Sequence, residues 1–122
     1  MKKILITGGA GFVGRYFTKY FLDKKYEVHI VDNLARYTGA KDPENWPLFL
    51  PKDYKNFIFY NDDCRNWFLS NQKDDFDYVL HLAALVGGRM MIEKNPIAVS
   101  DDLSIDSHFW QWAVTVSYTH LR

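Results

Sequence analysis

An α/β fold built on a doubly wound parallel sheet is predicted for this 122-residue chain by three observations. Short apolar runs alternate with segments of helical period, the first run passes through a glycine-rich turn directly into a helix, and the second run closes on an aspartate. Strands and helices in alternation mean parallel strands, right-handed crossovers and helices covering both faces of the sheet.

Lys3 to Thr7 is an apolar run too short for a helix and stopped by glycines, so it reads as a buried strand. From Phe12, the residues Phe12, Val13, Tyr16, Phe17, Tyr20 and Phe21 recur at i, i+1, i+4, i+5, i+8 and i+9. That spacing predicts a helix to about Asp23 that lays this stripe, Tyr20 included, against the sheet. Glu27 to Val31 is β-rich and ends in the turn residues Asp32 and Asn33, a second strand. Residues 34 to 55 hold Pro43, Pro47 and Pro51 without a clear period and read as a long connection with room for a short helix. Phe57 to Tyr60 is a third strand stopped by Asn61, Asp62 and Asp63, and Cys64 to Ser70 a short helix. Tyr78 to Leu82 gives a fourth strand running into Ala83 and Ala84, then a loop holding Gly87, Gly88 and Arg89. Ile105, Phe109, Trp112 and Val116, at i, i+4, i+7 and i+11, predict a last helix starting near Pro96 or Asp101.

Composition narrows the function classes. With 48% hydrophobic and 17% aromatic residues, the chain is expected to be a soluble globular domain and not a disordered one. Fifteen basic and 15 acidic side chains cancel, so a nucleic-acid or anionic-membrane surface has nothing to build on, and small molecules or proteins are the expected partners. Cys64 is the only cysteine, which excludes an intrachain disulfide, and no Cys/His set has zinc-ligand spacing, so no metal is expected. The opening apolar run ends at Thr7, too soon for a signal peptide, and none approaches the ~20 residues of a membrane span. A cytoplasmic location is the expectation.

The candidate site starts from Gly8-x-x-Gly11-x-x-Gly14, placed where strand turns into helix. Glycines there permit a tight turn, let a pyrophosphate approach the backbone and let the helix pack on the strand, while the helix N-terminus offers free N–H groups. The competing reading, a glycine-rich turn without a ligand, does not call for this placement. Gly9-x-x-x-x-Gly14 has the spacing of a nucleoside-triphosphate loop, but Arg15 and Tyr16 stand where Lys and Ser/Thr are needed. Asp32 closes the second strand where a dinucleotide fold places the carboxylate for the adenosine ribose hydroxyls. A 2′-phosphate would meet it as a like charge, with Arg36 the only nearby cation, so NAD is expected over NADP.

The Thr-Gly-x-x-Gly-x-x-Gly turn from Thr7, Asp32-Asn33-Leu34, Asp63-Cys64 and His81-Leu82-Ala83-Ala84 together resemble the extended short-chain dehydrogenase/reductases, and within them the NAD-dependent epimerase/dehydratase family that modifies nucleotide sugars. The resemblance covers about residues 2 to 114 and implies a Rossmann-type domain. It implies that Gly8, Gly11 and Gly14 form the pyrophosphate turn, with Phe12 and Val13 at the helix N-terminus. By the same resemblance Asp32 and Asn33 hold the ribose, Asp63 and Cys64 line the adenine pocket, and Leu82, Ala83 and Ala84 pass beneath the cofactor. Without the family, Ala83 and Ala84 read as a tightly packed strand end and His81 as a core histidine. Gly87, Gly88 and Arg89 look like a loop that lies near the sugar in epimerase-reductases making GDP-fucose. Asp62, Asn66 and Asp102 depart from the family's usual Gly, Asp and Asn. The implied activity is hydride transfer between a sugar carbon and NAD, in a homodimer assembled through long helices, one of them starting near Pro96.

The family's chemistry uses a Tyr-x-x-x-Lys pair. That spacing occurs at Tyr20-Lys24 and Tyr37-Lys41, neither at the family's position after a fifth strand, so no catalytic residue is assigned. Residues 116 to 122, Val116 to Arg122, read as the translation of an adapter from transposon-based sequencing libraries. The expectation is therefore an N-terminal part of an NAD-binding domain over residues 1–115 and a non-native tail over 116–122. The sheet would be truncated after about four strands, with an exposed strand-four edge, Trp110 and Trp112 stranded on the surface, and a fragment that is poorly soluble and inactive. The alternatives are a non-catalytic dinucleotide-binding regulatory or redox-sensing module of the same fold, and an α/β interaction domain with an empty site.

Overall fold

In the computed structural model, which describes residues 1–35, 38–73, 75–84 and 94–117, four strands make one parallel sheet. These are β1 (Lys3–Thr7), β2 (Glu27–Asp32), β3 (Phe57–Asn61) and β4 (Tyr78–His81), in the order β3-β2-β1-β4. Ile6 pairs with Ile30 on one side and Leu80 on the other, and Ile4 and Ile6 join one core while Leu5 joins the other, so the central strand is apolar on both faces, as a sheet covered on both sides requires. Among the described residues β4 pairs with β1 alone.

Helix α1 (Phe12–Asp23) covers one face, over a core of Ile4, Ile6, Leu22, Val28 and Ile30. The connection to β3 holds two 3-10 turns, Pro43–Asn45 and Pro51–Asp53. It belongs to the core, because Trp46 is buried on this face and its indole N–H donates to the Lys41 carbonyl at 2.8 Å. Helices α2 (Cys64–Ser70) and α3 (Pro96–Ser117) cover the other face, where Leu5, Val31, Trp67, Phe68 and Trp112 form a second core. The predicted stripe of Ile105, Phe109, Trp112 and Val116 packs into it. Among the described residues no helix is long and apolar enough to cross a membrane.

Two expectations are overturned. Five of the six residues of the predicted buried stripe of α1 face solvent: Phe12, Val13, Tyr16, Phe17 and Tyr20 are 40–64% exposed, Phe21 packs against the core as expected, and Gly14, Thr18 and Leu22 are buried instead. Gly14 decides this. A Cβ on it would lie 2.3 Å from the Gly8 carbonyl oxygen, so the helix meets the turn more closely than any side chain allows. The contact row then runs i, i+4, i+8 from that glycine, turning the aromatic residues away. The second correction concerns Trp112, which is 3% exposed and stacked on Phe68, while Trp110 is exposed as expected. Its indole N–H donates to the Asn71 carbonyl at 3.0 Å, which satisfies the one polar atom buried with it.

Candidate functional site

A cavity of about 440 Å³ opens at the C-terminal ends of the strands, where open α/β sheets bind ligands. Its wall includes Gly8, Gly11, Phe12, Val13, Gly14, Asp32, Asn33, Asp63, Cys64, Leu82, Ala83 and Ala84, every predicted cofactor residue. Gly87, Gly88 and Arg89, and Arg36, lie outside the described residues.

The glycines do different work. Gly8 takes φ +71°, and a Cβ there would sit 2.8 Å from the Ala83 amide nitrogen, so β1 and the segment after β4 touch through bare backbone. Gly11 meets only the Gly8 oxygen at 3.3 Å and otherwise leaves its side-chain space empty toward the cavity. It is also the N-cap of α1, with no side-chain capping bond. The amides of Phe12, Val13 and Gly14 are the orphan donors of that first turn, since Arg15 N–H already bonds the Gly11 carbonyl at 2.9 Å. An uncapped helix N-terminus facing a cavity with no side chain in the way fits a pyrophosphate.

Asp32 is 9% exposed at the end of β2. Its Oδ2 accepts from Ala10 N–H at 3.1 Å and its Oδ1 from Leu34 N–H at 2.8 Å, which ties the glycine turn to the next loop. The second bond holds Leu34 in the left-handed region at φ 57°. Burial pushes the Asp32 carboxyl above its ordinary range, and the two amide bonds oppose that rise. Each oxygen keeps an acceptor position for a ribose hydroxyl.

Across the cavity, Asp63 caps α2, accepting from Arg65 N–H at 2.9 Å. The Arg65 guanidinium also grips that carboxylate, Nη2 to Oδ2 at 2.7 Å and Nε to Oδ1 at 3.1 Å, which holds Asp63 below the usual carboxylate range. Cys64 is buried, and desolvation pushes its thiol up to about 12. Beside the end of β4, Thr7 Oγ1 at the end of β1 accepts from Ala83 N–H at 3.2 Å and lies 2.7 Å from His81 Nδ1. The Asp106 carboxylate of α3 can only accept, so Nε2–H donates to it at 3.0 Å, and in the neutral ring Nδ1 accepts from the Thr7 hydroxyl. His81 is stacked on Phe109 at 4.2 Å, and burial lowers its pKa despite Asp106.

Sequence reasoning missed Arg65, Asp62, Thr38, Asp101 and Ile105 on the wall. Arg65 was legible, because an N-cap places residue i+2 over the cap carboxylate; Asp101 and Ile105 arrive with α3 and had no local signal. Among the described residues no cluster of His, Cys, Asp and Glu has the make-up of a metal site.

The fold and its turn define a Rossmann-type α/β protein. The chain belongs to the NAD-dependent epimerase/dehydratase family, whose model matches residues 4–113. It is 36% identical over 104 residues to an uncharacterized Methanocaldococcus jannaschii protein, MJ1055, covering 80% of this chain and 31% of that one. It is 36% identical over 100 residues to a putative UDP-glucose 4-epimerase of the same organism, covering 80% of this chain and 29% of the relative. The chain thus spans less than a third of these relatives' length. Among solved structures, an epimerase from Methanothermobacter thermautotrophicus superposes with a TM-score of 0.76 at 25% identity, over 94% of this chain and 32% of that one. A UDP-glucuronic acid 4-epimerase from Bacillus cereus, solved with a fluorinated UDP-glucuronic acid and NAD, gives 0.73 at 26% identity, over 93% and 37%.

Proposed function

We propose that the cavity binds NAD and that the protein modifies a nucleotide sugar by passing a hydride between a sugar carbon and that cofactor. The observation that carries this is the uncapped N-terminus of α1 facing the same cavity as Asp32, with no side chain at Gly11 to block it. NAD supplies the hydride acceptor; the protein binds and orients it. In this reading the amides of Phe12, Val13 and Gly14 hold the pyrophosphate, and Gly8, Gly11 and Gly14 let it approach. Asp32 and Asn33 take the adenosine ribose, Asp63 and Cys64 face the base, and Leu82, Ala83 and Ala84 form the floor on the β4 side. Gly87, Gly88 and Arg89 are assigned to the sugar end.

NAD is favoured over NADP because a 2′-phosphate at Asp32 would bring a second negative charge to a buried carboxylate already short of water. Residues 1–115, which hold every residue given a part in this reading, are assigned to cofactor binding as the N-terminal part of the NAD-binding domain. Homodimerisation is assigned to the outer face of α3, where Leu103, Trp110 and Val114 are exposed at i, i+7 and i+11. Calorimetric titration of the full chain with NAD and NADP tests the reading. Saturable NAD binding with NADP at least about tenfold weaker supports it, and no heat with NAD overturns it.

A further inference from the structure

Along the top of the sheet the strand order sets a sequence of groups: Ala83 after β4, the glycine turn after β1, Asp32 ending β2, and Asp63 after β3. If the helix N-terminus holds the pyrophosphate and Asp32 the adjoining ribose, the base of that ribose continues to the β3 side and meets Asp63. This step rests on the cofactor reading above.

The state of Asp63 is unusual for a carboxylate that is only a helix cap. Its Oδ1 takes both Arg65 N–H at 2.9 Å and Nε at 3.1 Å, and its Oδ2 takes Nη2 at 2.7 Å, with Nε also 3.3 Å away. A backbone amide and a planar fork together fix the carboxylate plane. Arg65 is itself held from the other side by α3, with Nη1 3.5 Å from Asp101 Oδ1 and 3.3 Å from Ser104 Oγ. Two carboxylate oxygens offer about four acceptor positions. The fork and the amide take three of them and leave one on Oδ2, on a side chain one quarter exposed at the cavity wall.

We propose that Arg65 is the positioning residue that makes this site select adenine: it clamps Asp63 so that the remaining acceptor meets an exocyclic amine and cannot swing to a neighbouring ring N–H. Hypoxanthine is the informative competitor. It replaces the amine by a carbonyl, which faces the carboxylate as a second acceptor, and places its donor on the adjacent ring nitrogen. A free carboxylate rotates to reach that donor; a clamped one stays opposite the carbonyl. Lysine keeps the charge of Arg65 but has no fork.

The test measures the dissociation constants of NAD and nicotinamide hypoxanthine dinucleotide by calorimetry in the full chain, for wild type, Arg65→Met and Arg65→Lys. Because the readout is a ratio within each variant, a general loss of stability does not move it. Wild type is expected to favour NAD by about tenfold or more, the scale of one hydrogen bond to a charged group. Both variants are expected to bring the two ligands within about threefold, as the released carboxylate follows the donor. An undiminished preference in Arg65→Met, or one retained in Arg65→Lys, overturns the clamp. Wild type binding both dinucleotides alike also overturns it while leaving the cofactor site intact, whereas binding of neither removes the cofactor reading itself.

Discussion

Gly14→Ala is the sharpest perturbation of the reasoning that joins fold to site. The added methyl would stand 2.3 Å from the Gly8 oxygen and 2.7 and 2.8 Å from Gly9 Cα and C, all backbone atoms that no rotamer change can move. To restore van der Waals separation, α1 has to withdraw by roughly 1 Å, which lifts Thr18 and Leu22 from their seats. That belongs at the upper end of overpacking costs, about 3 kcal/mol, against which alanine's better helix propensity offsets about 1 kcal/mol. The expected net loss is about 2 kcal/mol, read as a lower urea midpoint at unchanged slope. The amides of Phe12 and Val13 recede by the same distance, enough to break a hydrogen bond of ordinary length, so NAD affinity falls at least about tenfold. Gly11→Ala is the control. It has φ −73° and only one close neighbour, at 3.3 Å, so stability drops by about 1 kcal/mol or less, while the methyl enters the cavity and abolishes NAD binding. If Gly14→Ala binds NAD as wild type does, or if Gly11→Ala is the less stable of the two, the account of the turn is wrong.

The outward stripe of α1 predicts that Tyr20→Ala lowers the unfolding free energy in urea by less than about 1 kcal/mol, while Leu22→Ala, fully buried on the row that starts at Gly14, costs about 2–5 kcal/mol; equal losses would return the stripe to the core. Asp32→Asn removes the charge and sets a donor against one of the two backbone N–H groups that the carboxylate accepts from, so NAD titration should show binding weakened about tenfold or more and the gap between NAD and NADP narrowed. The Cys64 thiol, buried and pushed up to about 12, should resist a disulfide exchange reagent at pH 8 in the folded chain and react at once in denaturant; rapid labelling of the native protein contradicts its burial. For His81 the fold favours the neutral ring, so its contribution is fully present above the ordinary histidine value of about 6.5 and is lost as pH falls below it. The melting temperature should therefore drop between pH 7.5 and 5 more steeply in wild type than in His81→Phe, and parallel profiles would show that His81 is not the group titrating.

The strand runs were legible because each is bounded by residues that cannot continue it. Thr7 gives way to glycines and Asp32 to Asn33, and both ends appear in the structure at the predicted residue. The phase of a helix is a different matter. Periodicity says that Phe12, Tyr16 and Tyr20 share a face, not which face turns inward, and hydrophobicity alone chose wrongly. Closest approach decided instead: a bare glycine against a carbonyl fixes the helix rotation more firmly than a row of large rings that would hold it away. Trp112 failed for a related reason, since its burial depends on Phe68 and Asn71 from another helix.

The site divides along the same line. Each predicted cofactor residue sits at the C-terminal end of a strand, in the segment just after it or at the start of the helix that follows, where the chain's local order already dictates proximity to the cavity. What local order does not convey is which groups already have partners when a ligand arrives. Asp32 and Asp63 look alike in the sequence, one aspartate after each of two neighbouring strands. In the structure Asp32 is tied by two amides and Asp63 by an arginine that α3 holds in turn. A carboxylate bonded only to backbone keeps acceptors on both oxygens and suits a pair of ribose hydroxyls. One gripped by a guanidinium keeps a single direction and suits a single donor. In the proposed reading the difference between holding a sugar and selecting a base lies in the partners of the two carboxylates: amides 22 and 2 residues away for Asp32, and for Asp63 an arginine 2 residues away that Asp101 holds from 36 residues further along.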